Sequence, residues 1–213
     1  MSEPRHSSLL IVSGVAIAVA TALGAAFAPW LLVHHPFWLL ALNPWPRHQL
    51  LVAPNAPMLP FISIVVVRGL MSCLVAMELG RRYGTRGVAL LEGRSAESGQ
   101  MLRVVERLFG RFSDAFLVFT PGWFTSALAG MSGVTRARSL TLNSVGLAGW
   151  AIVHYRVGAW LEPWTAPIMQ YLREHMLVAT LVCVVLVALY QGHLWRKRNL
   201  NVLQKRRGDE TPQ

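Results

Sequence analysis

Residues 111–160 read RFSDAFLVFTPGWFTSALAGMSGVTRARSLTLNSVGLAGWAIVHYRVGAW. The first half is apolar but interrupted at Pro121-Gly122, and small residues follow it (Ser126, Ala127, Ala129, Gly130, Ser132, Gly133). A basic elbow stands at Arg136 and Arg138, and the second half is an apolar run long enough to cross a bilayer. An apolar segment that turns at Pro-Gly before a spanning run is expected to enter a membrane and leave by the same face. Irregular backbone survives at that depth only where protein or water satisfies its polar groups, usually at a transport or lipid-handling site.

Composition bounds the rest. The chain has 213 residues, 54% of them hydrophobic and 14% charged, against about a quarter charged in a soluble domain. The apolar residues sit in blocks, which implies an all-α integral membrane protein with one membrane domain, residues 9–195. A polar leader (1–8) precedes it and a basic tail (196–213) follows. The net charge of +10 comes mostly from arginine. Those arginines lie between and after the apolar blocks, as expected of cytoplasmic loops. A nucleic-acid-binding protein would carry them on a polar domain with interleaved aromatics, so no nucleic-acid partner is expected. Cys73 and Cys183 lie inside apolar runs and read as packed thiols rather than a disulfide framework.

In chain order, Leu9–Val33 is the first expected span, since roughly 20 residues cross the hydrocarbon. Its small residues (Gly14, Ala18, Ala20, Gly24, Ala28) suit close helix packing in lipid. Ala26-Phe27-Ala28 also resembles a signal-peptidase site, which leaves cleavage as an alternative. His34–Pro60 holds prolines 36, 44, 46, 54, 57 and 60 and no acidic residue. No continuous helix tolerates that proline density. Its two short apolar pieces make either a first re-entrant hairpin or a loop on the membrane surface anchored by Trp38 and Trp45. Phe61–Gly80 is the second span, with Arg68 near its middle. Residues 81–112 are strongly basic, and Met101–Phe112 has the spacing of an amphipathic helix, either on the inner leaflet or packed on the protein. Ser139–Trp160 and Met176–Leu194 span, with Leu161–His175 as an external loop between them.

An orientation with both termini cytoplasmic puts every basic cluster inside. The two broken segments then dip from opposite faces. A hairpin plus following helix, repeated with inverted topology, is a transporter signature. The expected fold is therefore about four transmembrane helices plus two opposed re-entrant hairpins.

These residues resemble the DedA family, also called the VTT or SNARE-associated family, over about Pro36–Trp160. The resemblance rests on Pro121-Gly122, Ala129-Gly130-Met131, Asn143 with Gly146, Trp150, and Leu79-Gly80-Arg81-Arg82-Tyr83-Gly84. It implies a lipid-transport fold in a bacterial cytoplasmic membrane, with polyprenyl phosphate or phospholipid moved between leaflets. Two departures stand out. The family commonly carries an arginine shortly after Pro-Gly, where this chain has Trp123-Phe124, and an acidic residue in the first hairpin, where this chain has none.

The residues expected to meet substrate are Arg68, Arg136, Arg138, Pro121, Gly122 and Asn143. Arg68 is a charge at mid-span, where insertion costs roughly 2.5–3.5 kcal/mol, so it either faces a lipid phosphate or satisfies carbonyls of a broken hairpin. Arg136 and Arg138 either gather anionic headgroups or anchor the loop inside. Asp114 and Glu78 are the expected ion-coupling carboxylates. Asp114 alternatively caps a helix or pairs with Arg111, and Glu78 alternatively pairs with Arg81 and Arg82 at i+3 and i+4. His154, Tyr155 and Arg156 either receive a headgroup or snorkel. His34, His35 and His48 lack partners at metal spacing, and no hydrolase or nucleotide-binding motif is present. No enzyme activity, metal or cofactor is expected. The expected partners are membrane lipids, with a homo-oligomer left open. A non-transporting membrane organiser and an ion-coupled solute transporter are the rival functions.

Overall fold

A computed structural model describes residues 3–92, 109 and 112–209, and every regular element among them is helical. They are α1 (Glu3–Ala26), α2 (Ala28–His34), α3 (Pro36–Leu42), α4 (Pro46–Val52), α5 (Met58–Glu92), α6 (described over 112–119), α7 (Trp123–Met131), α8 (Arg136–Trp160), α9 (Glu162–Glu174) and α10 (Met176–Asp209). Three of these helices are long and apolar enough to cross a membrane, over Leu9–Ala26, Met58–Gly84 and Met176–His193. The other expected span, Ser139–Trp160, lies in α8, which has the length at 25 residues but carries Asn143, His154 and Arg156 within it.

Several boundaries differ from the sequence reading. The run Leu9–Val33 is divided at Phe27, because Pro29 has no N–H to continue α1 and instead opens α2. From Glu3 onward the polar leader is continuous with α1. The expected loop Leu161–His175 is mostly the helix α9. A proline in its first turn, Glu162 at its start and Arg173 in its last turn all favour that helix. The amphipathic helix expected over Met101–Phe112 lies outside the described residues, apart from Phe109 and Phe112.

Two hairpins organise the centre. The first is α3–turn–α4 and the second is α6–turn–α7. Between them α5 and α8 run antiparallel: Phe61 meets the Tyr155 ring at 5.4 Å, Gly69 faces Leu147, and Cys73 reaches Asn143 at 3.6 Å. Glu78 pairs with Arg136 at the far end of the same contact. The second hairpin lies along the C-terminal half of α5, where Gly80 abuts the Ala127 backbone and Gly130 abuts Met77 and Arg81. The first hairpin lies along the C-terminal half of α8, where Gly158 abuts Leu50 and Ala53. The arrangement is reciprocal. The hairpins approach from opposite ends of the α5–α8 pair, and their turns border one cavity midway along it.

Apolar packing holds each unit. Leu39, Leu40, Val52, Phe61, Val65 and Ala151 join the first hairpin to α5 and α8, and Phe109, Leu117, Leu128 and Ala129 close the second. The arms come close because glycine stands where a methyl group would strike a neighbouring backbone. Gly80→Ala and Gly130→Ala should each lower stability by about 1–3 kcal/mol. Gly122 has open space around it, so Gly122→Ala should change stability by less than about 0.5 kcal/mol. Thermal unfolding of the three variants in detergent checks both expectations.

Candidate functional site: two braced turns and the cavities between them

A helix that stops inside a protein leaves carbonyls without intrahelical partners. The first turn, Asn43-Pro44-Trp45, solves this with side chains. Arg68 donates from Nε to Ala41 O (2.9 Å) and from Nη2 to Leu42 O (3.4 Å). His48 Nδ1 lies 3.0 Å from Asn43 O, and Gln49 Nε2 donates to Pro44 O at 2.6 Å. Four successive carbonyls thus have donors. Arg68 also reaches the Ser72 hydroxyl, Thr21 Oγ1 (3.3 Å) and Ile17 O (3.5 Å). Its charge stands at the negative end of α3, and among the described residues no carboxylate pairs with it.

The second turn, Thr120-Pro121-Gly122, reaches the same end with other residues. Trp150 Nε1 donates to Phe119 O (2.8 Å), and Thr125 Oγ1 donates to Thr120 O (2.8 Å) with Gly122 O also 3.2 Å away.

The two hairpins border two cavities in common. One, of about 380 Å³, lies between Pro44 and Gln49 on one side and Thr120, Pro121, Trp150 and His154 on the other. Because the Gln49 amide nitrogen is committed to Pro44 O, its oxygen faces His154 Nδ1 at 2.9 Å, and that nitrogen carries the proton. The other cavity, of about 840 Å³, is walled by α1 and α10 and bordered by Asn43, Trp45 and Arg47 from the first hairpin and Trp123 from the second. A separate apolar crevice of about 570 Å³ lies between α1, α3 and α5, with Arg68 in its wall.

Arg47 did not stand out in the sequence, where it reads as one more basic residue in a proline-rich stretch. Its Nε donates to His48 Nε2 at 3.3 Å, and its guanidinium lies 5.3 Å from the centre of the Trp45 ring. Asn43 is 1% exposed. Its Nδ2 reaches Thr21 O at 3.4 Å, while its Oδ1 has no partner among the described residues. A buried acceptor in that state costs about 1–3 kcal/mol.

The remaining expected residues fall elsewhere. Arg136 pairs with Glu78, which also lies 3.7 Å from Arg81, and Arg138 pairs with Asp114 at 2.6 Å. These hydrogen-bonded carboxylates raise both arginine pKa values further above their ordinary range. The two pairs fasten the start of α8 to α5 and α6, away from the turns. Thr135 caps α8, accepting from Arg138 N at 3.4 Å. Asn143 is buried between α8 and α5, with Nδ2 on Ser139 O at 2.9 Å. Pro121 borders the smaller shared cavity, and Gly122 borders a pocket inside the second hairpin. Tyr155 donates to Ala56 O at 3.0 Å. Among the described residues no group of His, Cys, Asp and Glu could hold a metal ion.

Fold and site together define an all-helical protein with helices fit to cross a membrane and two side-chain-braced turns at its centre. No family model, curated protein or solved structure matches the chain.

Arg68→Met would strip the donors from Ala41 O and Leu42 O, and should cost about 3 kcal/mol or more. Trp150→Phe removes one neutral donor and should cost about 1 kcal/mol. Thermal unfolding of the purified variants measures the difference, with Arg68→Met the more damaged.

Proposed function

We propose that this chain moves an anionic lipid, a polyprenyl phosphate or a phospholipid, between the leaflets of a bacterial cytoplasmic membrane. The observation that carries the reading is the pair of broken-helix turns, approaching from opposite ends of α5 and α8 and bordering a common cavity. In this reading both hairpins are re-entrant, α8 is the fourth span, and both termini are cytoplasmic, which keeps the basic residues of 81–112 and of the tail on one side. The lipid class follows from the resemblance to the DedA family.

The surface of α9 supports the placement of the outer boundary. Trp164, Ile168 and Tyr171 follow helical spacing on α9 and are exposed, as is Trp160 at the end of α8, and the apolar run of α10 begins at Met176, directly after α9. Such an aromatic stripe suits a helix lying in the plane of the headgroups.

The mechanism follows from the cost of moving charge through hydrocarbon. The headgroup passes between the two turns, where polar side chains and cavities replace its water, while the acyl or prenyl chains stay in lipid. Arg136, Arg138, Glu78 and Asp114 hold the second hairpin at its base during this passage.

Reconstituted vesicles carrying fluorescent lipid in both leaflets test the reading. With the protein present, a membrane-impermeant quencher should reach well beyond half of a labelled polyprenyl phosphate or phospholipid. Quenching that stops at half for both lipids, with folded protein inserted, would exclude lipid transport.

A further inference from the structure

We infer that Arg47 is the residue through which the cavity walled by α1, α10 and the two hairpins takes a lipid phosphate. This inference rests on the lipid-transport reading and names the chemistry at its centre.

The first argument is position. Asn43, at the turn, bonds to Thr21, and Ala41 and Leu42, just before it, bond to Arg68. Thr21 and Arg68 both lie inside runs fit to cross a membrane, Leu9–Ala26 and Met58–Gly84. The first turn is therefore level with the interior of those runs, and Arg47 opens the helix that leaves it. A cation at such depth calls for an anion or a water-filled cavity. No carboxylate is among the residues lining the cavity.

The second argument is what Arg47 has left to give. Its described contacts are the His48 acceptor and the Trp45 ring, so both Nη groups keep their N–H bonds for a ligand. A guanidinium presents those donors as a planar fork that matches two phosphate oxygens. The fork is also held in place. His48 is fixed by Asn43 O on its other nitrogen, and Trp45 lies against the guanidinium. Arg68, by contrast, has its donors directed to the carbonyls of the turn and to neighbouring hydroxyls.

The third argument concerns the rest of the cavity. Asn43 lines it beside Thr21. Ile11, Val15 and Val19 of α1 and Val187 of α10 line the remainder. Those walls suit a hydrocarbon chain attached to the phosphate and give free inorganic phosphate nothing to bind.

The test uses the full-length protein in detergent, with water-soluble dihexanoyl phosphatidic acid as the probe, dihexanoyl phosphatidylcholine as a zwitterionic control and inorganic phosphate as a second control. Binding is read as a ligand-dependent rise in unfolding temperature and titrated to a Kd. Arg47→Gln should weaken phosphatidic acid binding about tenfold or more, and Arg47→Lys, which keeps charge but loses the fork, should fall between. Unchanged affinity in a folded Arg47→Gln protein would overturn the assignment. A full Arg47-dependent shift with inorganic phosphate alone would overturn the lipid assignment. This binding result is separate from the vesicle assay: Arg47-dependent binding without lipid movement would keep this site and remove the transport reading.

Discussion

Backbone carbonyls that lose their helical partners at two interior turns are the constraint on which the rest of this structure depends. Each such group needs a donor to replace the helical one. The chain provides them from side chains: Arg68, His48 and Gln49 at the first turn, Trp150 and Thr125 at the second. That requirement accounts for polar residues within otherwise apolar helices. Arg68 is the clearest case, because one charged group serves two carbonyls of α3 and links α1, α3 and α5.

Braced turns allow short hairpin arms to pack as if they were parts of long helices. The arms of seven to nine residues are too short to be stable alone. They gain order from close contact with α5 and α8, at Gly80 and Gly130 on one side and Gly158 on the other. The ion pairs Glu78–Arg136 and Asp114–Arg138 then close the base of the second hairpin. The first hairpin has no such pair among the described residues and is held instead by Gln49–His154 and Tyr155–Ala56.

This division separates two arginines that look alike in sequence. Arg68 is committed to backbone, which fits a framework role. Arg47 is presented to a cavity with its terminal nitrogens uncommitted, which fits recognition. Of the six residues expected to meet substrate, three more fasten the framework: Arg136, Arg138 and Asn143 are engaged with Glu78, Asp114 and Ser139.

The sequence alone determined that the chain is helical and built for a membrane, because apolar blocks of spanning length and few charges leave little other choice. It also located both turns, since Pro44, Pro46 and Pro121-Gly122 cannot continue a helix. Local pattern misled at Phe27, where an unbroken apolar run hid the effect of Pro29, and at α9, where two prolines looked like a loop although one of them starts the helix. Only the tertiary structure decided which donor meets which carbonyl and which partners Arg47 and Arg68 take. Those outcomes depend on contacts between residues far apart in the chain, such as Arg68 with Ala41, Arg136 with Glu78 and His154 with Gln49. A sequence records that an arginine is present, but its role is set by the partners that packing brings within hydrogen-bonding distance.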